Sequence, residues 1–186
     1  MLATSILFTI ANFVGSAFAL AKRDAPGVNQ DFSLYAYGES VGGLSLFYAD
    51  GKAKIGDPNN STSTNAVPIS FTRDSDTSSA PWVANPNTTT TNTNATWSNE
   101  MLYIPSSTSS SHEMGFTAKN MTNETTTGFV FYGQWVMVQD ESGVFSSSFF
   151  VQRDSSDEGV YSLLWNVSNV DDAVPVSLRL TKPSNA

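Results

Sequence analysis

Apolar and polar residues alternate with a period of two in Phe32-Ser33-Leu34-Tyr35-Ala36-Tyr37 and in Leu44-Ser45-Leu46-Phe47-Tyr48. That is the period of a half-buried strand and not of a helix. Asp50-Gly51, two residues that tolerate positive φ, predicts a tight turn into Lys52 to Ile55 and a three-stranded meander at the start of the domain. Val67 to Thr72, Ala80 to Ala84 and Met101 to Ile104 read as shorter strands between Ser, Thr, Asn and Pro clusters. Gly128 to Gln139, Val144 to Arg153, Gly159 to Trp165 and Val174 to Leu180 read as longer ones, with turns at Asp140 to Gly143 and Asp154 to Glu158. Pro175, unable to donate to a ladder, suggests that the last strand is an edge. Beyond the first residues no segment holds helical periodicity over three turns. The expectation is an all-β domain, an antiparallel sandwich or jelly roll of about nine to eleven short strands, with a closed β-barrel as the alternative.

Met1 to Ala21 carries no charged residue. Its apolar run from Ile6 to Val14, followed by Ala17-Phe18-Ala19, has the pattern of a signal peptide, 1–19, cleaved after Ala19. Lys22-Arg23 directly behind it is a candidate dibasic processing site, which makes 20–23 a short propeptide and 24–186 the single mature domain. Arg179 to Ala186 has no hydrophobic tail, so the pattern gives no lipid anchor and no stable membrane attachment after processing. All seventeen acidic residues lie beyond Arg23, and removal of Lys22 and Arg23 leaves seven cations, a net charge of −10 against −8 for the whole chain. So acidic a product is a poor partner for nucleic acid or an anionic membrane.

The chain has no cysteine. Oxidising compartments permit disulfides and small exported folds often need them, so a mature chain of about 160 residues must here be stabilised by its core alone. Thiol nucleophiles, cysteine-based zinc sites and redox chemistry are excluded with it. Export gives meaning to the seven Asn-X-Ser/Thr acceptors at Asn59, Asn60, Asn87, Asn94, Asn120, Asn123 and Asn166. All but Asn166 fall in polar stretches where a glycan can point into water, and Asn166 needs an outward-facing side chain at the end of its strand.

Catalytic chemistry is hard to find. His112 is the only histidine, it neighbours Ser109 to Ser111 only in sequence, and no Gly-X-Ser-X-Gly elbow occurs. Glycoside cleavage needs only two carboxylates, and Glu39, Glu100, Glu113 and Glu141 are free to face a groove, with Glu113-Met114-Gly115-Phe116 the nearest approach to a catalytic strand. Asp154, Asp157 and Glu158, or Asp171 and Asp172, could gather around calcium, but their spacing fits no defined loop and turn solvation accounts for them. No metal or other cofactor is expected. Of four tryptophans, Trp135 and Trp165 lie in apolar strands and read as core, whereas Trp82, after Pro81, and Trp97, in a Thr/Asn-rich loop, are the candidates for an exposed platform that a sugar ring could cover.

Phe32 to Gly38, Gly42-Gly43-Leu44, Phe47 to Gly51 and Ile55-Gly56-Asp57 together resemble the opening of small secreted proteins of filamentous fungi that have no assigned activity. The likeness spans 26 residues. It implies a fungal secretory origin and a shared sandwich, and it supplies no functional residues. The sequence thus points to a secreted, N-glycosylated, noncatalytic β-protein that binds cell-wall or host glycans or extracellular proteins. The alternative is a hydrolase or lyase with a pair of glutamates on its sheet.

Overall fold

Alternation sets the first three strands: β1 (Tyr35–Gly38), β2 (Val41–Ala49) and β3 (Lys52–Ile55) form the expected meander, with Asp50 and Gly51 both at positive φ in the turn. The computed structural model describes residues 25–89 and 95–184. The leader 1–19, the propeptide 20–23 with Ala19, Lys22 and Arg23, and the sequon at Asn94 lie outside the described residues. One 3-10 turn, Pro58–Asn60, leads to β4 (Val67–Thr72), β5 (Val83–Pro86), β6 (Glu100–Pro105), β7 (Gly115–Thr117) and β8 (Glu124–Thr125). Six more strands follow: β9 (Phe129–Tyr132), β10 (Trp135–Gln139), β11 (Phe145–Ser146), β12 (Phe149–Arg153), β13 (Tyr161–Trp165) and β14 (Val174–Arg179).

All pairings are antiparallel, and ten of the strands close into a ring in the order β1-β2-β4-β5-β6-β7-β3-β13-β12-β14, with β14 returning to β1. The fold is therefore the closed barrel rather than the open-edged sandwich or jelly roll. The physical reason lies in one ladder: Tyr35 to Gly38 pair with Arg179 to Val176, and this union of the first and last strands abolishes the edges a sandwich would keep. β2 takes β3 on one flank and first β1, then β4, on the other, so the β2–β3 hairpin also ties the ring across.

Two long apolar runs are broken where single strands were expected. Gly128 to Gln139 folds back at Gly133-Gln134 into the β9–β10 hairpin, with Tyr132 opposite Trp135. Val144 to Arg153 divides into β11, paired with β10, and β12, paired with β13. Nor is β14 an edge: it lies between β12 and β1, and Pro175 is tolerated because it precedes the β1 register, which begins at Val176.

Inward positions on every wall supply one continuous core. Leu34, Ala36, Ile55, Phe71, Leu102, Val136, Val151, Leu163 and Leu178 are all fully buried. Its densest part is aromatic: Trp82 stacks on Phe131 at 4.5 Å and meets Phe32 edge-on at 5.1 Å, with Phe129 at 5.4 Å. Burial of each such side chain contributes roughly 1.5–3 kcal/mol, which is how a chain without disulfides holds together. Polar links seal the rim, with Lys54 bound to Asp154 at 2.7 Å and the buried Asp157 carboxylate accepting from Ser61 Oγ and the Thr62 N–H.

Candidate functional site

If the inward positions of β1, β14 and β10 fill the core, the alternate positions must face outward. Register makes this explicit: Tyr35 lies opposite Arg179, Tyr37 opposite Ser177, and Arg179 opposite Trp135. Tyr132 lies opposite Trp135 on the next strand. Four neighbouring strands thus present Tyr35, Tyr37, Arg179, Trp135 and Tyr132 on one outer face. Trp135 is 47% exposed and Tyr132 79%.

Arg179 organises this face. Its guanidinium carbon is 4.1 Å from the Trp135 ring centroid and 4.9 Å from that of Tyr37, distances at which the ring quadrupoles attract a cation. Nε donates to Ser177 Oγ at 3.0 Å. The rings are held in turn. Tyr37 donates its hydroxyl to the Thr181 carbonyl at 2.7 Å, and Thr181 Oγ1 bonds Gln134 Oε1 while the Leu180 N–H donates to the Gln134 carbonyl, tying the hairpin tip to the end of β14. Gly43, at φ +80°, leaves room for this arrangement, because a Cβ there would meet Pro183 at 2.8 Å and the Tyr37 hydroxyl at 3.0 Å.

Two adjoining clefts run beside the face, of about 550 and 390 Å³. They share Ser33, Tyr35, Asn87 and Lys182, and the larger adds Asp31 and Asn85. The larger has a mixed lining that includes Phe32 and Tyr35, and the smaller is mainly apolar, walled by Leu44, Leu46, Pro68 and Ile69. The Tyr35 phenol, shared by both, is pushed above its ordinary pKa first by burial and then by Tyr37. No protein-family model, curated protein or solved structure matches this chain.

The tryptophans change places relative to the sequence expectation. Trp82, expected on the surface, is 1% exposed at the centre of the aromatic core and offers no face to a ligand. Trp97 is half-buried, with one face stacked on Tyr48 at 4.0 Å. Trp165 packs edge-on against Phe149 at the core margin. Trp135, expected inside, is the exposed one, because the Gly133-Gln134 turn places it at a hairpin tip. A glycine interrupting the Phe129 to Gln139 run was the signal available for it.

A second cluster gathers on another wall. Lys52, Gly115 and Tyr103 form one row across β3, β7 and β6, and Glu113 and Glu124 fall on the same face, since Glu113 is two residues from Gly115 and Glu124 pairs with Pro105. Gly115 lets the Tyr103 ring cross it, the hydroxyl passing 2.7 Å from where a Cβ would stand. Lys52 binds Glu113 at 2.6 Å. Burial foremost, then the Glu124 charge, push the Tyr103 phenol above its ordinary pKa. Glu124 Oε2 is buried and has no hydrogen-bond partner among the described residues. Glu124 escaped the sequence reading because it sits within polar sequon residues.

His112 Nδ1 lies 3.2 Å from the Trp165 carbonyl, while Ser111 Oγ accepts from the Glu113 N–H. Asp154 is engaged by Lys54 and Ser156, and among the described residues no group of three or more His, Asp or Glu is placed to hold a metal. Asn59, Asn60, Asn120, Asn123 and Asn166 are exposed, whereas Asn87 is half-buried on the cleft wall.

Proposed function

We propose that this chain is a secreted, N-glycosylated, noncatalytic barrel that binds carbohydrate outside the cell, at a cell wall or at a host or substrate surface. The observation that carries the reading is the outer row Tyr37, Arg179, Trp135 and Tyr132 beside a cleft whose mixed lining includes Asp31, Ser33, Asn85 and Asn87. Pyranose rings have one apolar face, which stacks on aromatic rings, and a rim of hydroxyls, which polar clefts satisfy. The unbroken leader and Lys22-Arg23 support export, and the exposed asparagines of five sequons support glycosylation.

Retention of the purified protein on a polysaccharide and glycan array tests the reading. Wild type should be retained, and Trp135→Ala should weaken retention about tenfold, equivalent to about 1.4 kcal/mol. Failure of wild type to bind any glycan, or full binding by Trp135→Ala, would sink it.

A second reading, a carbohydrate-active hydrolase or lyase, rests on Glu113 and Glu124 sharing a face with Tyr103 and Lys52. Neither glutamate lines the two clefts described above. Soluble sugar released from a retained polysaccharide, and lost in Glu124→Gln, would replace binding with cleavage.

A further inference from the structure

We infer that the face selects acidic sugars, and that Arg179 is the residue that reads their carboxylate. The inference rests on the binding role proposed above and goes further by naming the ligand class. Three of the seven cations beyond Arg23 are paired with carboxylates: Lys52 with Glu113, Lys54 with Asp154 and Arg73 with Asp76. Arg179 is not, since among the described residues no carboxylate oxygen lies within 4.0 Å of it. Lys119, Arg153 and Lys182 also lack such a partner but are exposed, so Arg179 is the half-buried cation without a carboxylate among the described residues.

The geometry assigns it a use. Trp135 and Tyr37 cover the guanidinium, and Nε is committed to Ser177. The Nη edge donates to no acceptor among the described residues. A planar fork of N–H donors held between rings is matched by a carboxylate in two parallel hydrogen bonds, charge-assisted and directional. A uronate ring carries that carboxylate on the carbon next to its ring oxygen, so the exposed Tyr132 and Trp135 rings can take the sugar's apolar face while the carboxylate meets the fork. Lys182, exposed on the wall of both clefts, adds a second cation for the next residue of a chain.

The protein's overall negative charge does not oppose this strongly. Fields from distant carboxylates decay within about 8 Å at physiological salt, and a single fork reading one carboxylate per site does not need the extended basic surface that a nucleic acid requires.

Polygalacturonate and its fully methyl-esterified form share a backbone and differ in charge, which makes them the probes. Wild-type protein at physiological salt should bind polygalacturonate at least tenfold more tightly than the ester. Arg179→Gln should lose that difference, so that the variant binds the two polymers with equal affinity. Arg179→Lys, which keeps charge but not the planar fork, should retain only part of it, and thermal midpoints should confirm that both variants fold. Equal binding of both polymers by wild type, or a preference that survives in Arg179→Gln, overturns the assignment to Arg179 and leaves carbohydrate binding intact. Absence of binding to these polymers and to every neutral glycan overturns both readings.

Discussion

Among the described residues three arginines lie over aromatic rings; Arg153 is exposed over Tyr161, whereas Arg73 and Arg179 are set into the wall and differ in what surrounds the charge. Arg73 is 6% exposed, 5.1 Å from the Phe131 centroid, with Nη2 donating to the Pro26 carbonyl at 2.5 Å and pairing with Asp76 at 2.7 Å. Arg179 lies over two rings, bonds Ser177 through Nε and has no carboxylate partner among the described residues. The stacking motif is shared, so stacking alone does not separate a structural cation from a recognition cation. Burial and counter-ion together do: Arg73 is buried against Asp76 and closes the core, whereas the half-buried Arg179 has no carboxylate among the described residues, which leaves its charge for the ligand proposed above.

The largest effect is expected at Arg73. Arg73→Ala removes a charged donor to the Pro26 carbonyl and uncovers the Phe131 face, and should cost about 2–3 kcal/mol in denaturant unfolding. Asp76 is 69% exposed and is left in water, which keeps the loss below that of a severed buried pair. Glycan binding by the folded fraction should not change. A binding loss matching that of Arg179→Gln would show that the two cations are not functionally distinct.

A smaller effect is expected at the other sealed pair. The bond from Lys54 holds the Asp154 carboxyl at about 2, against an ordinary 3.8, helped by Ser156 and opposed by burial. A carboxylate with a lowered folded pKa contributes stability above its unfolded value and loses it as pH falls toward the folded one. Asp154→Asn should therefore cost about 1–2 kcal/mol at pH 7, and the gap from wild type should close between pH 4 and pH 2. Paired denaturant curves across that range check it, and a gap that persists at pH 2 would assign the loss to packing instead.

Local strands were largely legible in the sequence, since alternation and turn chemistry are properties of neighbouring residues. Lys52–Ile55 and Val67–Thr72 fall where period two and the bounding turns place them. Closure was not legible, because the ladder joining Tyr35 to Arg179 depends on residues far apart in the chain, and no local pattern favours a ring over a sandwich. The candidate binding face was not legible for the same reason. Trp82 has the look of a loop residue beside Pro81 but packs under Phe131, and Trp135 has the look of core until the turn at Gly133 is recognised. Tyr35 and Tyr37 could be assigned to one face from their spacing, yet Arg179 joins them only through the fold.

The smallest stability change should come from the residue with the largest effect on binding. Arg179 is half-buried, and cation–π contacts at such partly exposed sites contribute about 0.5–1 kcal/mol. Arg179→Gln keeps a stem over Trp135 and an amide able to reach Ser177, so its unfolding free energy should fall by no more than about 1 kcal/mol. Arg73→Ala should show the opposite division, with a large loss of stability and none of affinity. A loss at Arg179 as large as that at Arg73 would mean that the ring stack chiefly fastens β14 to β1 and β10. Retained stability with lost carboxylate preference would mean instead that the barrel leaves this charge unpaired at little structural cost, and that its use lies in what it binds.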